Sequence, residues 1–240
     1  MVEHSIHNAA VVGPIPTPGT VLLCMFVKIG GVSGSGKSST IPLVADYLQR
    51  KGYKTEIVKG SALMAAYLGV EEYELQFCSE EERVRARQNV YTDLYKKDRE
   101  DPKIRLRDGH FAFVKVNGTE SVSVSKAHIL PGDLSQLKAI FVLDAPADIV
   151  SRRRREDKTR SDRTIVDAFD IDVEEFYERE EGRLQALQLG IPFFLVDTSS
   201  DRSLRVATVI GSAIEKQVLW KEREIHRYLR ESANLGVEKR

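Results

Sequence analysis

The 240-residue chain has few cysteines, no excess of either charge and no long apolar run. Its only cysteines, Cys24 and Cys78, fit neither a metal-binding pair nor a disulfide framework, which is typical of a reducing compartment. Its 36 basic residues balance 36 acidic ones, whereas nucleic-acid binders usually carry a basic excess. No stretch reaches the ~20 apolar residues that cross a bilayer, and residues 1–20 lack a basic signal-peptide start. We therefore expect a cytoplasmic protein with neither a membrane nor a nucleic acid as partner.

One glycine-rich stretch carries the clearest chemical signal. Residues 31–38 read GVSGSGKS and match G-x-x-x-x-G-K-[ST], the P-loop pattern that holds nucleotide phosphates. Glycines let the backbone approach a phosphate, and the N–H groups of the turn and the following helix bind the anion. Lys37 would reach the β- and γ-phosphates, and the Ser38 hydroxyl would bind Mg²⁺. The setting agrees, because residues 25–30 form an apolar strand pattern and residues 41–48 follow at helical spacing.

The rest of the chain alternates strand patterns with helical patterns. Strand patterns occur at residues 25–30, 55–59, 104–110, 139–144 and 193–197. Helical patterns between them predict an α/β fold, a five-stranded parallel sheet with helices on both faces.

Composition divides the chain into three parts. Residues 25–217 would form one P-loop domain. The breakers in residues 1–24 predict a flexible extension, although an arm packed on the core remains an alternative. Residues 218–240 form an amphipathic tail that contains the only tryptophan, which leaves an oligomer through this tail open.

Two segments would interrupt the domain. The Asn-Gly pair in residues 111–124 lies between alternating runs and predicts a β-hairpin. Seven basic and three acidic residues lie between Arg152 and Arg163. Because phosphoryl transfer needs charge neutralisation and exclusion of water, this segment predicts a lid over residues 152–172 that closes on phosphates. A nucleic-acid contact or a localisation signal is the alternative.

The third strand pattern ends in Asp108, where an acid beside a P-loop would orient Mg²⁺ through water. Arg105 and Arg107 interrupt the apolar run that a central parallel strand usually shows. The pattern therefore argues against a central place for this strand in the sheet.

Four stretches, taken in order, resemble the nucleoside monophosphate kinases, and most closely the archaeal-type adenylate kinases. The first is the P-loop, and the second is residues 58–61 with the small-residue helix that follows. The third joins residues 107–110 to the later Leu-Pro-Gly at 130–132, and the fourth is the arginine segment, residues 153–163.

The resemblance implies an α/β P-loop kinase, with ATP as co-substrate, Mg²⁺ as cofactor and the reaction ATP + AMP to 2 ADP. The residues it implies for ATP are Gly31, Ser33, Gly34, Ser35, Gly36, Lys37, Ser38, Ser39, Asp197 and Thr198. Those implied for the acceptor are Gly60, Ser61, one of Arg83, Arg85 or Arg87, and His110. The implied catalytic residues are Lys37, Asp108, Arg153, Arg160 and Arg163. The metal would be held by Ser38 and Asp108.

The hairpin is longer than the matching loop of that family, and it lies where the acceptor would be selected. Two alternatives therefore stay open. One is a P-loop kinase for another small acceptor, such as a nucleoside or a metabolite hydroxyl. The other is an adenylate kinase-like ATPase that acts as an assembly or regulatory factor.

Overall fold

The computed structural model describes residues 25–97, 103–117, 121–127, 129–130, 132–157, 167–200, 202–219 and 224. A parallel sheet of five strands forms the centre of this part of the chain. Its strands are β1 (Met25–Gly30), β2 (Thr55–Lys59), β3 (Ile104–Asp108), β6 (Leu137–Asp144) and β7 (Phe193–Asp197). They lie in the order β2-β3-β1-β6-β7, so the predicted five-stranded parallel sheet is confirmed.

Helices cover both faces of the sheet, because its side chains alternate between two apolar clusters. Met25, Val27 and Ile29 of β1 pack on one face against α1 (Lys37–Arg50) and α7 (Ser203–Ala213). On the other face, Phe26 and its cluster pack against the two longest helices. These are α3 (Glu80–Lys97) and α6 (Ala168–Leu189).

Shorter elements complete the described part of the chain. They are α2 (Gly60–Leu68), a 3₁₀ helix (Glu72–Gln76), α4 (Asp133–Gln136), α5 (Ala147–Glu156) and a π-helical turn (Ile214–Leu219). None of the described helices is long and apolar enough to cross a membrane.

The predicted hairpin is confirmed, and it ends two residues later than expected. Strands β4 (Ala112–Asn117) and β5 (Ser121–Lys126) pair antiparallel in a separate two-stranded sheet, with Ala112 opposite Lys126. The predicted lid is described only at its ends, as the last turns of α5 and the start of α6, since residues 158–166 lie outside the described residues. Residues 1–24 and nearly all of 218–240 also lie outside them, so the extension and the tail stay predictions.

Strand β3 is central, between β2 and β1, so the argument against that position was wrong. Arg105 and Arg107 are both buried, and each has an acidic partner. Arg105 Nε lies 3.1 Å from a Glu56 carboxylate oxygen, and Arg107 Nη1 lies 2.9 Å from Asp133 Oδ1. Because these pairs offset the cost of burial, a central strand accommodates two arginines on one face.

Candidate active site

The loop between β1 and α1 has the backbone shape that the glycine pattern predicts. Gly31, Gly34 and Gly36 have φ angles of 142°, 90° and 95°, a region that side chains with a Cβ rarely adopt. A Cβ at Gly31 would also lie 2.6 Å from Ser35 Oγ and 2.7 Å from the Leu143 carbonyl oxygen. Helix α1 begins directly after the loop, at Lys37, so its N-terminal N–H groups lie at the loop.

Neighbouring elements hold this loop by side chains that donate to its carbonyl groups. The Lys37 ammonium donates to the Gly31 and Val32 carbonyl oxygens. Arg154 Nε of α5 donates to the Ser33 carbonyl at 2.7 Å, and the hydroxyl of Thr198 donates to the Ser35 carbonyl at 2.9 Å. The loop is thus fixed in place by three separate parts of the chain.

The first residues of the arginine segment contribute directly to this arrangement. Arg153 Nη2 donates to the Thr198 carbonyl at 2.6 Å, and Arg154 Nη2 lies 2.5 Å from a carboxylate oxygen of Glu174 on α6. Arg153 therefore joins α5 to the loop after β7. Arg160 and Arg163, the other arginines predicted to be catalytic, lie outside the described residues.

One cavity of about 780 Å³ extends from the glycine loop to the hairpin. Its P-loop half is lined by residues 33–39 together with Arg153 and Thr198. Its hairpin half is lined from β1, α2, α3, β3 and the hairpin. The lining residues there include Lys28, Gly60, Ser61, Arg83, Arg87, Tyr91, Arg107, Asp108, His110, Phe113 and Lys126. Most of the residues predicted from sequence to bind a donor and an acceptor therefore meet at one space.

Three predicted residues do not line this cavity. Gly31 lies behind the loop, where its N–H donates to Glu178, and Asp197 is exposed and accepts from the Ser199 N–H. Arg85 is exposed on α3, whereas Arg83 and Arg87 line the cavity. This separation follows from helical geometry, because residues four apart share a face and the residue between them does not.

Ser38 and Asp108 line the same cavity, from the start of α1 and the end of β3. Hydroxyl and carboxylate oxygens are the hard donors that Mg²⁺ prefers, and Mg²⁺ often takes only one or two protein ligands beside phosphate and water. The described residues contain no cluster of three His, Cys, Asp or Glu side chains that could hold a metal alone. The residues present thus fit Mg²⁺ bound together with a nucleotide.

The sequence patterns missed Glu178, a buried residue of α6 that lies behind the P-loop and against the base of the hairpin. Its Oε1 accepts from the Gly31 N–H at 2.8 Å, and its Oε2 accepts from the N–H groups of Phe111 and Ala112, both at 2.9 Å. His110 Nδ1 lies 3.6 Å from Oε1. One carboxylate therefore ties the beginning of the P-loop to the base of the hairpin.

The carboxylate of Glu178 is ionised despite its burial. Burial raises its pKa, but the hydrogen bond and charge of His110, the charge of Lys37 and the Ala112 N–H outweigh this and lower the pKa to about 2. The sequence held one weak signal for this role, since Glu178 lies on the same buried helical stripe as Ile171, Gly182 and Gln185.

A second buried network lies beneath the hairpin half. Asp133 accepts from Arg107 Nη1 at 2.9 Å, from the Tyr95 hydroxyl at 2.5 Å and from the Leu130 N–H at 2.9 Å. The Arg107 guanidinium also lies 3.7 Å from the ring centre of Tyr91. The site thus includes Arg107 of a central strand, a residue that belongs to the stretch 107–110 but to which the sequence patterns assigned no role in the site.

No protein-family model matches the chain, and a search of curated proteins finds no similar sequence. Solved structures do match its backbone, in 235 chains. One is shikimate kinase from Bacteroides thetaiotaomicron, at a TM-score of 0.49 and 10% identity, over 80% of this chain and 98% of that one. This likeness concerns the backbone and carries no argument about the reaction. The chain's own sheet order and glycine loop define a P-loop α/β protein.

Proposed function

We propose that the protein transfers the γ-phosphoryl group of ATP to a nucleoside monophosphate, in a Mg²⁺-dependent reaction of the adenylate kinase type. The observation that carries this proposal is the shared cavity. A phosphate-binding loop lines one half, and arginines of α3 line the other. A donor and an anionic acceptor could therefore lie within one space from which closure would exclude water.

In the P-loop half, ATP would replace contacts that the protein now makes with itself. The Lys37 ammonium, which donates to the Gly31 and Val32 carbonyls, would contact the β- and γ-phosphates when ATP binds. Arg153 lines the same half and would neutralise charge that spreads over the transferring oxygens. Mg²⁺, held by Ser38 and through water by Asp108, would supply further neutralisation of phosphate charge.

In the hairpin half, Arg83 and Arg87 would bind the phosphate of the acceptor. Gly60 begins α2 beside α3, and a Cβ there would lie 2.5 Å from the Tyr91 hydroxyl, so a larger residue would displace the Tyr91 side chain at this wall of the cavity. An oxygen of the acceptor phosphate would bond to the γ-phosphorus as the bond to the ADP oxygen breaks. Because that phosphate is already ionised near neutral pH, this step needs no general base.

One observation favours a second candidate, a P-loop kinase for another small acceptor. Phe113 of β4 is 46% exposed yet lines the hairpin half, and its ring lies 5.5 Å from that of His110. An aromatic side chain at this wall would contact the acceptor and help to select it, and the hairpin that carries it departs from the family pattern.

An acceptor panel tests both candidates. Purified protein with ATP and Mg²⁺ is given each ribonucleoside monophosphate, adenosine, a hydroxylated metabolite set or no acceptor, and ADP formation is followed. We expect the highest rate with AMP. A higher rate with a non-nucleotide would select the second candidate, and equal ADP formation without acceptor would select an ATPase. Lys37→Ala is the negative control in every arm.

A further inference from the structure

Lys28 is a buried lysine in the middle of the central strand, and the site described above gives it no role. Its side chain is 3% exposed, and it lines the hairpin half of the cavity. In the described part of the chain its ammonium donates one hydrogen bond, at 3.4 Å, to Gln185 Oε1. Its Nζ also lies over the face of Phe111, 3.8 Å from the ring centre. Because an ammonium has three donors, this one is poorly satisfied for a buried charge.

A second cation lies directly beside it. Lys28 of β1 and Arg107 of β3 are register partners in neighbouring parallel strands, so both side chains project from the same face of the sheet. The next register pair on that face differs, because Arg105 lies opposite Phe26 and not opposite a second cation. Arg87 of α3 lines the cavity on the same side.

The carboxylates nearby are already committed to other groups. Asp133 of α4 accepts from Arg107, Tyr95 and the Leu130 N–H, and Glu178 of α6 accepts from three N–H groups. Among the described residues neither Lys28 nor Arg87 forms an ion pair. The Lys28 ammonium therefore lies beside the Arg107 guanidinium without a carboxylate partner of its own among the described residues.

We propose that Lys28 is an anion-recognition residue of the hairpin half, where it binds a doubly charged phosphate group of the acceptor together with Arg87. The inference rests on the proposed function only in assigning the acceptor to this half. A tetrahedral dianion would supply acceptors for the free donors of Lys28 and would lie between two cations that otherwise repel each other.

The same arrangement couples binding of the anion to the uptake of a proton by Lys28. Burial, then the charge of Arg107, lower the pKa of Lys28 to about 7, with Arg87 acting in the same direction and Glu178 and Asp133 opposing it. A bound dianion would raise this pKa again. Near pH 8, where a nucleotide phosphate has already lost its second proton (pKa about 6), the protein would take up a proton as it binds the anion.

Calorimetric titration near pH 8 in two buffers of different ionisation enthalpy measures this uptake directly. The probes are AMP, sulfate as a dianion that does not titrate, and adenosine as the uncharged counterpart of AMP. We expect uptake approaching one proton for AMP and sulfate and none for adenosine. Lys28→Met should weaken AMP binding about tenfold or more and abolish the uptake.

Two further variants keep the test independent of folding. Lys28→Arg has a permanent charge, so it should retain binding and lose the uptake. Lys59→Met removes an exposed lysine at the end of β2 and should behave like the unmodified protein. Equal uptake in Lys28→Met, or no binding of AMP and sulfate by the unmodified protein, would overturn the inference.

The outcome separates this inference from the proposed function. Proton uptake that depends on Lys28, without phosphoryl transfer to any nucleoside monophosphate, would support the anion site and contradict the proposed reaction. Phosphoryl transfer to AMP without any proton uptake would support the proposed reaction and contradict the role of Lys28.

Discussion

The two halves of the cavity satisfy their charged side chains in different ways. In the P-loop half the protein supplies the partners itself, since Lys37 donates to two loop carbonyls and Arg153 and Arg154 donate to the Thr198 and Ser33 carbonyls. In the hairpin half, Lys28 donates a single long hydrogen bond within the described part of the chain, and burial and the charge of Arg107 lower the pKa of Arg87. The P-loop half is thus preorganised, whereas a ligand would balance the charge of Lys28 and Arg87 in the hairpin half. Glu178 connects the two halves.

The largest effect should come from the preorganised half. Lys37→Ala should lower ADP formation at saturating substrates by about 100-fold or more, because it removes a cation from the transferring phosphate. The fold should survive because the Lys37 side chain is only half-buried, and the urea midpoint of unfolding checks this. Lys51→Ala, which removes an exposed lysine after α1, is the matched control. Turnover within a few-fold of normal would show that the loop is not catalytic.

Glu178→Ala tests the connection between the halves. It leaves the N–H groups of Gly31, Phe111 and Ala112 without their acceptor, so we expect a loss of about 3–5 kcal/mol in the free energy of unfolding. Urea unfolding measures it, with Glu180→Ala, which removes a half-exposed carboxylate from the same helix, as control.

The pH dependence of this loss has a definite sign. The folded pKa of Glu178, about 2, is below that of a free glutamate, so its stabilisation is present above about pH 4.5 and disappears as the pH falls towards 2. The two proteins should therefore converge in stability over that interval. A constant difference down to the acid limit would mean that packing, and not the charge of Glu178, holds the halves together.

What the sequence predicted well is local in the chain. The strand, glycine loop and helix from Met25 to Arg50 are contiguous, and the strand patterns at 55–59 and 193–197 are the observed β2 and β7. The central place of β3 was missed because the partners of its arginines lie 49 and 26 residues away, in Glu56 and Asp133. Glu178 was missed for the same reason, since it lies 147 residues from Gly31. A local pattern shows a charge but not the distant group that neutralises it.

Lys28 should lower the stability of the folded protein at neutral pH, whereas Glu178 raises it, although stability rises with pH for both groups. Its folded pKa, about 7, is below the ordinary 10.5 of a lysine, so between these values the unfolded chain binds more protons and stability rises with pH. From pH 7 to 9 the rise should be about 2 kcal/mol in the unmodified protein.

Lys28→Met should be at least as stable as the unmodified protein at pH 7, because it removes a poorly satisfied buried charge, and its stability should change little over the same interval. Lys59→Met should keep the unmodified slope. A lower stability of Lys28→Met at pH 7 would instead show that Lys28 is a structural residue. The two halves would then not differ in how well the protein satisfies their charged side chains.

The smallest effect should separate two arginines on α3. Arg83 lines the hairpin half and Arg85 does not, although both lie on the helix predicted to bind the acceptor. Arg83→Ala should raise the KM for the acceptor about tenfold and leave the KM for ATP unchanged, because the lost contact involves only the acceptor phosphate. The effect is modest because Arg83 already pairs with Glu80 at 2.7 Å, an ion pair that the acceptor would have to displace. Arg85→Ala is the control and should change neither constant. Equal effects of the two variants on both substrates would show that α3 acts through its charge as a whole, and that the hairpin half has no defined acceptor contact on this helix.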